Sequence, residues 1–215
     1  MKAVELIIFD LDGTLVDSRR DIVDAVNFTL REVALKEKSF EEVVSYVGTG
    51  VEELIKRSLG EEDKGLFKKA LSIFEGHFQK HSADKSRLYP NVTETLGYFK
   101  DKRKAVVTNR RSNTAVITLK ALNIYGYFDK VIGGDDAGCM KPSSCPLVNM
   151  MQHLKVTDKK KAIIVGDMNI DVLAGKNADI LTCAVTYGIG KRQDIVKAHP
   201  DYIIDDIAQL KDIIY

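Results

Sequence analysis

The sequence predicts an α/β fold: a parallel sheet covered by helices on both faces, with a small all-helical domain inserted after the first strand. Three observations predict it. Short apolar, β-branched runs recur along the chain, each ended by a turn. Beyond "LYPNV" these runs alternate with helical segments, which is the pattern of a parallel sheet buried on both faces. Between residues 18 and 82 there is almost no strand pattern, and helical periodicity dominates.

Residues 4–9, VELIIF, read as the first buried strand. Ile22, Val26, Leu30 and Val33 then form one apolar helical stripe. Ser39 with Glu42 three residues later is a capping-box pattern. Gly48 and Gly50 break the next turn, "VEELIKRSL" resumes a helix, and Gly60 can end it. Leu66, Ala70, Phe74 and Phe78 mark another helix. After "LYPNV", strands are expected in KAVVTN, DKVIGG, KAIIVGD and LTCAV, with YII a weaker, later one. Helices are expected between them near 93–100, 113–122, 146–154 and 170–177. The first strand belongs with these later ones, so 1–17 and 83–215 form one core and 18–82 an insertion.

Composition narrows the function. With 32 Lys+Arg against 31 Asp+Glu the formal net charge is +1, so nothing global points to nucleic acid or an acidic membrane surface. No apolar run approaches the ~20 residues of a transmembrane helix, and no signal-peptide pattern opens the chain. Cys139, Cys145 and Cys183 are scattered without CxxC spacing, which predicts reduced thiols in a cytoplasmic protein. The chain is expected to act as a monomer or weak homodimer on a small molecule.

In an open parallel sheet, ligands bind beyond the carboxyl ends of the strands. Polar groups collect there: Asp10, Asp12 and Thr14 after the first strand, Thr108 and Asn109 after the second, and Asp167 and Asp171 after "IIVG". Lys141 lies in the loop after "VIGG". Each is commonplace alone: Asp and Gly often just end a strand, and "GDMNID" reads equally as a helix cap by Asp167 or Asn169. Together they suit phosphoryl transfer. One carboxylate can attack phosphorus, and a second can exchange the proton with the leaving alkoxide and then with water. A hydroxyl, backbone N–H groups and a lysine can hold the phosphoryl oxygens. Crowded carboxylates call for a hard divalent cation, with Mg²⁺ expected to support activity and Ca²⁺ to inhibit it.

"FDLDGTLVDS", "VVTN", "KP" and "VGDMNID" resemble, in order, the four motifs of the haloacid dehalogenase-like hydrolase superfamily. The resemblance spans essentially the whole chain. It implies a Rossmann-like core with a helical cap that closes over the site. It implies Asp10 as nucleophile, Asp12 as general acid/base, Thr108 on the phosphoryl group with support from Asn109, and Lys141 neutralising charge. Mg²⁺ would be held by Asp10, the backbone carbonyl of Asp12, and Asp167, with Asp171 helping; Thr14 would shape the first loop.

The stretches "SYVGTGVEELIKRSLG" and "HFQKHSADKSRLYPNV" further resemble the phosphoglycolate phosphatase-like branch. This implies hydrolysis of a small phosphate monoester, with 2-phosphoglycolate favoured and pyrophosphate or a sugar phosphate the alternatives. A substrate carboxylate would be read from the cap by the Gly48–Gly50 backbone, Arg57 or His81. Asn91 and Asp179 stand where that branch usually has glycine, and Ser144 where a second proline is common. A phosphoglucomutase usually carries a cap His and Arg that are absent from "DSRRDIVDAVN" and "VGTGVEEL". Dehalogenases and phosphonate hydrolases generally lack the second Asp, and a receiver-like phosphoryl-binding protein lacks both that Asp and the insertion. His77 with His81 has ligand spacing but no evident third ligand, and reads as packing or surface; Arg110 and Arg111 read as solvated, with the alternative that one faces a substrate carboxylate.

Overall fold

The computed structural model describes residues 1–62, 65–136 and 138–215. Six strands form one parallel sheet in the order β5-β4-β1-β6-β7-β8. These are β1 (Leu6–Phe9), β4 (Arg103–Val107), β5 (Lys130–Ile132), β6 (Ala162–Gly166), β7 (Leu181–Val185) and β8 (Tyr202–Ile204). β2 (Val16–Asp17) and β3 (Arg87–Leu88) make a separate antiparallel pair. Four helices lie between β2 and β3 in sequence: α1 (Arg19–Glu32), α2 (Phe40–Val44), α3 (Val51–Leu59) and α4 (Phe67–His81). Around the sheet follow α5 (Val92–Tyr98), α6 (Ser112–Ala121), α7 (Cys145–His153), α8 (Asn169–Ala178), α9 (Arg192–Lys197) and α10 (Leu210–Ile213).

β1 is buried at every position because its side chains alternate between two apolar layers. Ile7 and Phe9 join Leu96 of α5, Leu119 of α6 and Leu210 of α10 on one face. Leu6 and Ile8 join Leu147 and Met150 of α7 and Ala174 of α8 on the other. The insertion has its own apolar cluster, in which Ile22, Val26 and Leu30 of α1 meet Phe74 and Phe78 of α4. Its two ends are tied at Asp21. This buried carboxylate accepts hydrogen bonds from Lys85 N at 2.9 Å, Ser86 N at 2.8 Å and Ser86 Oγ at 2.6 Å.

The predicted strands and helices are present, with bounds that coincide or shift by one or two residues. Ser39 caps α2 by accepting from Glu42 N, and Gly60 ends α3 at φ +59°. Asn91 and Asp179 both take left-handed backbone, at φ +61° and +58°, a conformation that Asn and Asp tolerate better than most residues. The β2–β3 pair, α9 and α10 are additions, too short to leave a periodicity in the sequence. The cysteine expectation fails. Cys139 and Cys145 form a disulfide, because the turn through Ser143 and Ser144 brings their Cα atoms to 6.3 Å. Only Cys183 among the three is a free, buried thiol. No helix among the described residues is long and apolar enough to cross a membrane.

Candidate active site

β1 sits between β4 and β6, with Phe9 opposite both Val106 and Val165. The residues that follow these strands therefore meet at one edge of the sheet: Asp10 after β1, Thr108 and Asn109 after β4, and Asp167 after β6. Lys141 reaches the same point from the loop after β5. Its ammonium lies 2.8 Å from Asp10 Oδ1 and 2.7 Å from Asp171 Oδ1, with its side chain only 1% exposed. Oxygens of Asp10, Asp167 and Asp171 all lie within 4.8 Å of one another.

This crowding has an electrostatic cost. Burial is the main cause that pushes Asp10 up from 3.8 to about 7, opposed by Lys141 and reinforced by Asp171. Burial likewise pushes Asp167 up to about 8, aided by the Asp171 and Asp10 charges and opposed by two backbone N–H groups. For Lys141 burial acts downward, but the charges of Asp10 and Asp171 outweigh it and hold the ammonium above its ordinary value. One cation among three carboxylates leaves negative charge uncompensated, so the donor set fits a hard divalent cation.

The loops around these groups are shaped for close approach. A Cβ on Gly13, which has φ +88°, would lie 2.2 Å from Asp167 Oδ2, so the turn after the first strand requires glycine. Thr14 Oγ1 donates to Asp167 Oδ1 at 3.0 Å, and Ile189 N and Gly190 N donate to Asp167 Oδ2 at 2.7 and 3.2 Å. Asp167 is therefore not the cap of α8. Met168 occupies that position, and its N–H donates to Asp171 Oδ2 at 2.9 Å. The "YGIG" loop that seats Asp167 was not anticipated, although two glycines just after a strand are a legible sign of close backbone approach.

A cavity of about 480 Å³ opens above Asp10, lined also by Asp12, Thr108, Arg110 and Lys141 of the core and by Val47, Gly48, Val51, Leu54, Phe74 and Phe78 of the insertion. Gly48 and Gly50 lie on its wall, whereas Arg57 and His81 do not line it. Arg57 stacks over Tyr46, 4.4 Å from the ring centroid. His81 is exposed, bonded to Asp84 at 2.8 Å and stacked on His77. Both side chains are held by neighbours within or beside the insertion.

Asn109 spends both its amide N–H groups on the protein. Nδ2 donates to Gly48 O and to Lys141 O, both at 2.9 Å, while Oδ1 accepts from Lys141 N at 2.9 Å. It therefore braces the Lys141 loop against the insertion and has no amide N–H left to donate to a phosphoryl oxygen. Thr108 Oγ1 accepts from Arg110 N at 3.2 Å, which leaves its O–H free to donate into the cavity. Arg110 and Arg111 are both ion-paired, and of the two side chains only that of Arg110 is buried by its neighbours. Arg110 grips Asp12, with Nε 3.0 Å from Oδ2 and Nη2 2.5 Å from Oδ1, and Ser18 Oγ also donates to Asp12. Arg111 lies 2.8 Å from Glu52 and 2.5 Å from Glu75, carboxylates of α3 and α4.

Gly48 yields a test. Its φ of +117° is strained for any other residue, and a Cβ there would lie 2.5 Å from Met168 Sδ. Met168 is flexible and can yield, whereas the backbone angle persists. Gly48→Ala is expected to cost about 1 kcal/mol or more, read as a lower melting temperature; an unchanged melt would contradict this backbone argument.

The model of haloacid dehalogenase-like hydrolases matches residues 7–185. The chain belongs to that family. A phosphoglycolate phosphatase from Nitrosococcus oceani is 34% identical over 221 residues, covering 100% of this chain and 98% of that one. One from Aquifex aeolicus is 34% identical, covering 97% of each. The crystal structure of a predicted phosphoglycolate phosphatase from Haemophilus somnus superposes with a TM-score of 0.93 at 31% identity, covering 99% of each chain.

Proposed function

We propose that the protein is a Mg²⁺-dependent phosphatase that hydrolyses a small phosphate monoester through an aspartyl phosphate, with 2-phosphoglycolate the favoured substrate. The observation that carries this reading is the buried Asp10 carboxylate, paired with Lys141 at 2.8 Å and grouped with Asp167 and Asp171, at the floor of a cavity lined by core and insertion. Relatives named phosphoglycolate phosphatases that match over nearly their whole length support the substrate.

An Asp10 oxygen attacks phosphorus, and the P–O ester bond breaks. Asp12, protonated at that stage, gives its proton to the departing alkoxide. It then takes a proton from water as that water attacks the aspartyl phosphate, releasing inorganic phosphate and restoring Asp10. Lys141 fixes the Asp10 carboxylate and balances charge as the phosphoryl group approaches. The free O–H of Thr108 donates to a phosphoryl oxygen. Asp10, Asp167 and Asp171 would hold a divalent cation, which would neutralise the carboxylates and the phosphoryl oxygens, and Mg²⁺ suits this all-oxygen donor set.

The test is a panel of phosphate esters and pyrophosphate ranked by kcat/KM with Mg²⁺. The expected result is 2-phosphoglycolate at the top. If a sugar phosphate or pyrophosphate leads it by more than about tenfold, a gap of about 1.4 kcal/mol, the substrate assignment fails and the phosphatase reading stands. The absence of any turnover across the panel would leave a phosphoryl-binding protein instead.

A further inference from the structure

Among the described residues, three cations line the cavity, and they are engaged differently. Lys141 is fixed between Asp10 and Asp171, deep in the carboxylate cluster. Arg111 is clamped between two carboxylates of the insertion, Glu52 and Glu75. Arg110 faces a single carboxylate, and that carboxylate is Asp12.

Arg110 is also the best braced of the two arginines. Its side chain is 6% exposed. Nη1 donates to Thr118 Oγ1 at 2.8 Å, and the guanidinium lies over Phe78 of α4 with Cζ 4.8 Å from the ring centroid. The cation can therefore stay in place while Asp12 turns. Asp12 has a second partner in Ser18 Oγ, so leaving Arg110 does not strand it.

The chemistry of the substrate locates its far end. An aspartate that gives its proton to the ester oxygen must touch that oxygen. In 2-phosphoglycolate the carboxylate carbon is two bonds from the same oxygen. A guanidinium bonded to both oxygens of Asp12 thus borders the space that the leaving group's carboxylate occupies. Guanidinium and carboxylate match two points to two points, so one carboxylate can replace another on Arg110 without loss of geometry.

We infer that Arg110 is the specificity-determining residue for leaving groups with a carboxylate beside the ester carbon, and that it exchanges Asp12 for that carboxylate when substrate enters. The inference rests on the phosphatase reading above. In the resting protein Arg110 holds both oxygens of Asp12, which keeps that side chain turned toward the guanidinium. The incoming carboxylate takes Arg110, and the Asp12 side chain is freed to turn toward the ester oxygen. A leaving group without a carboxylate does not free it, so discrimination appears in kcat as well as KM.

The test compares 2-phosphoglycolate with ethyl phosphate, which lacks only the carboxylate function, for wild type, Arg110→Met, Arg110→Lys and Arg111→Met, all with Mg²⁺. Taking the ratio of kcat/KM for the two esters within each variant cancels their intrinsic difference in leaving-group chemistry. Wild type is expected to prefer 2-phosphoglycolate. Arg110→Met is expected to lower both activities and to cut the preference at least tenfold, with Arg110→Lys in between. Arg111→Met is expected to move both esters alike. Equal losses on both esters in Arg110→Met would show a residue that only positions Asp12, and overturn the inference. If Arg110→Met does not fold, Arg110→Lys decides: a preference cut threefold or more supports the exchange, and an unchanged one overturns it. A wild-type preference that survives at Arg110 removes the role alone, whereas a wild type with no preference removes the substrate reading and the role together.

Discussion

Asp10→Asn is expected to lose at least ~10⁴-fold in kcat/KM while remaining folded, and to melt no lower than wild type in the absence of divalent cations. The amide has the shape of the carboxylate but no nucleophilic oxygen anion, so the first bond to phosphorus is not made. The fold does not need the charge. Asp10 sits at the end of a strand whose apolar neighbours pack on both faces, and its backbone N–H is bonded to Val165 O at 2.9 Å whatever the side chain. Lys141 keeps Asp171 as a partner at 2.7 Å. Removing one of three mutually repelling buried carboxylates relieves strain of an electrostatic kind, as expected at a site built for function. A steady-state assay and thermal melts in chelator decide the matter. Near-normal turnover in the variant would end the nucleophile assignment, and a melting temperature well below wild type would show that Asp10 holds the fold together.

Much of this site was legible because the chemistry sits at strand ends. Buried strands announce themselves as short β-branched runs, and the polar residues that close them are the next letters of the sequence. Asp10, Thr108, Asp167 and the glycine between Asp12 and Thr14 could all be located in this way. What stayed hidden is what joins distant segments. Arg110 follows a strand like any turn residue, and nothing near it in sequence says that Asp12, 98 positions away, takes two of its N–H groups. Asn109 is expected to support the phosphoryl group, but nothing in the sequence says that Gly48 O and Lys141 O take both its amide N–H groups. His81 and Arg57 erred in the other direction. Their sequence neighbourhood suggested a role over the site, but helical phase turned Arg57 onto Tyr46 and left His81 with Asp84. The disulfide was missed for a related reason: a six-residue separation gives no sign of whether the loop folds back on itself.

The largest effect on the protein as a whole is expected from removing divalent cations, on activity and on the pH dependence of stability together. Chelation is expected to abolish turnover, because Asp10, Asp167 and Asp171 keep more negative charge than Lys141 balances and a phosphate monoester brings further negative charge. The stability effect follows from the raised carboxylates. Asp10 stands at about 7 and Asp167 at about 8 in the folded chain, against 3.8 ordinarily, with burial the main cause in both. A carboxylate raised in the fold binds its proton more tightly there than in the unfolded chain. Its contribution to stability is therefore fully present below about pH 4 and is lost as pH rises through the folded value. In chelator the melting temperature should fall between pH 5 and pH 8.5 by more than it does with Mg²⁺ present, at roughly 2–4 °C per kcal/mol for a chain of this size. Mg²⁺ should remove most of that slope, since bound cation favours the ionised cluster and compensates its charge. Asp10→Asn should flatten the chelator curve, having one raised carboxylate fewer. Melts across this range, with and without Mg²⁺, make the check. A metal-free wild type whose stability is flat or rises from pH 5 to pH 8.5 would mean that the cluster is solvated or internally paired, and full activity in excess chelator would remove the cation from the mechanism.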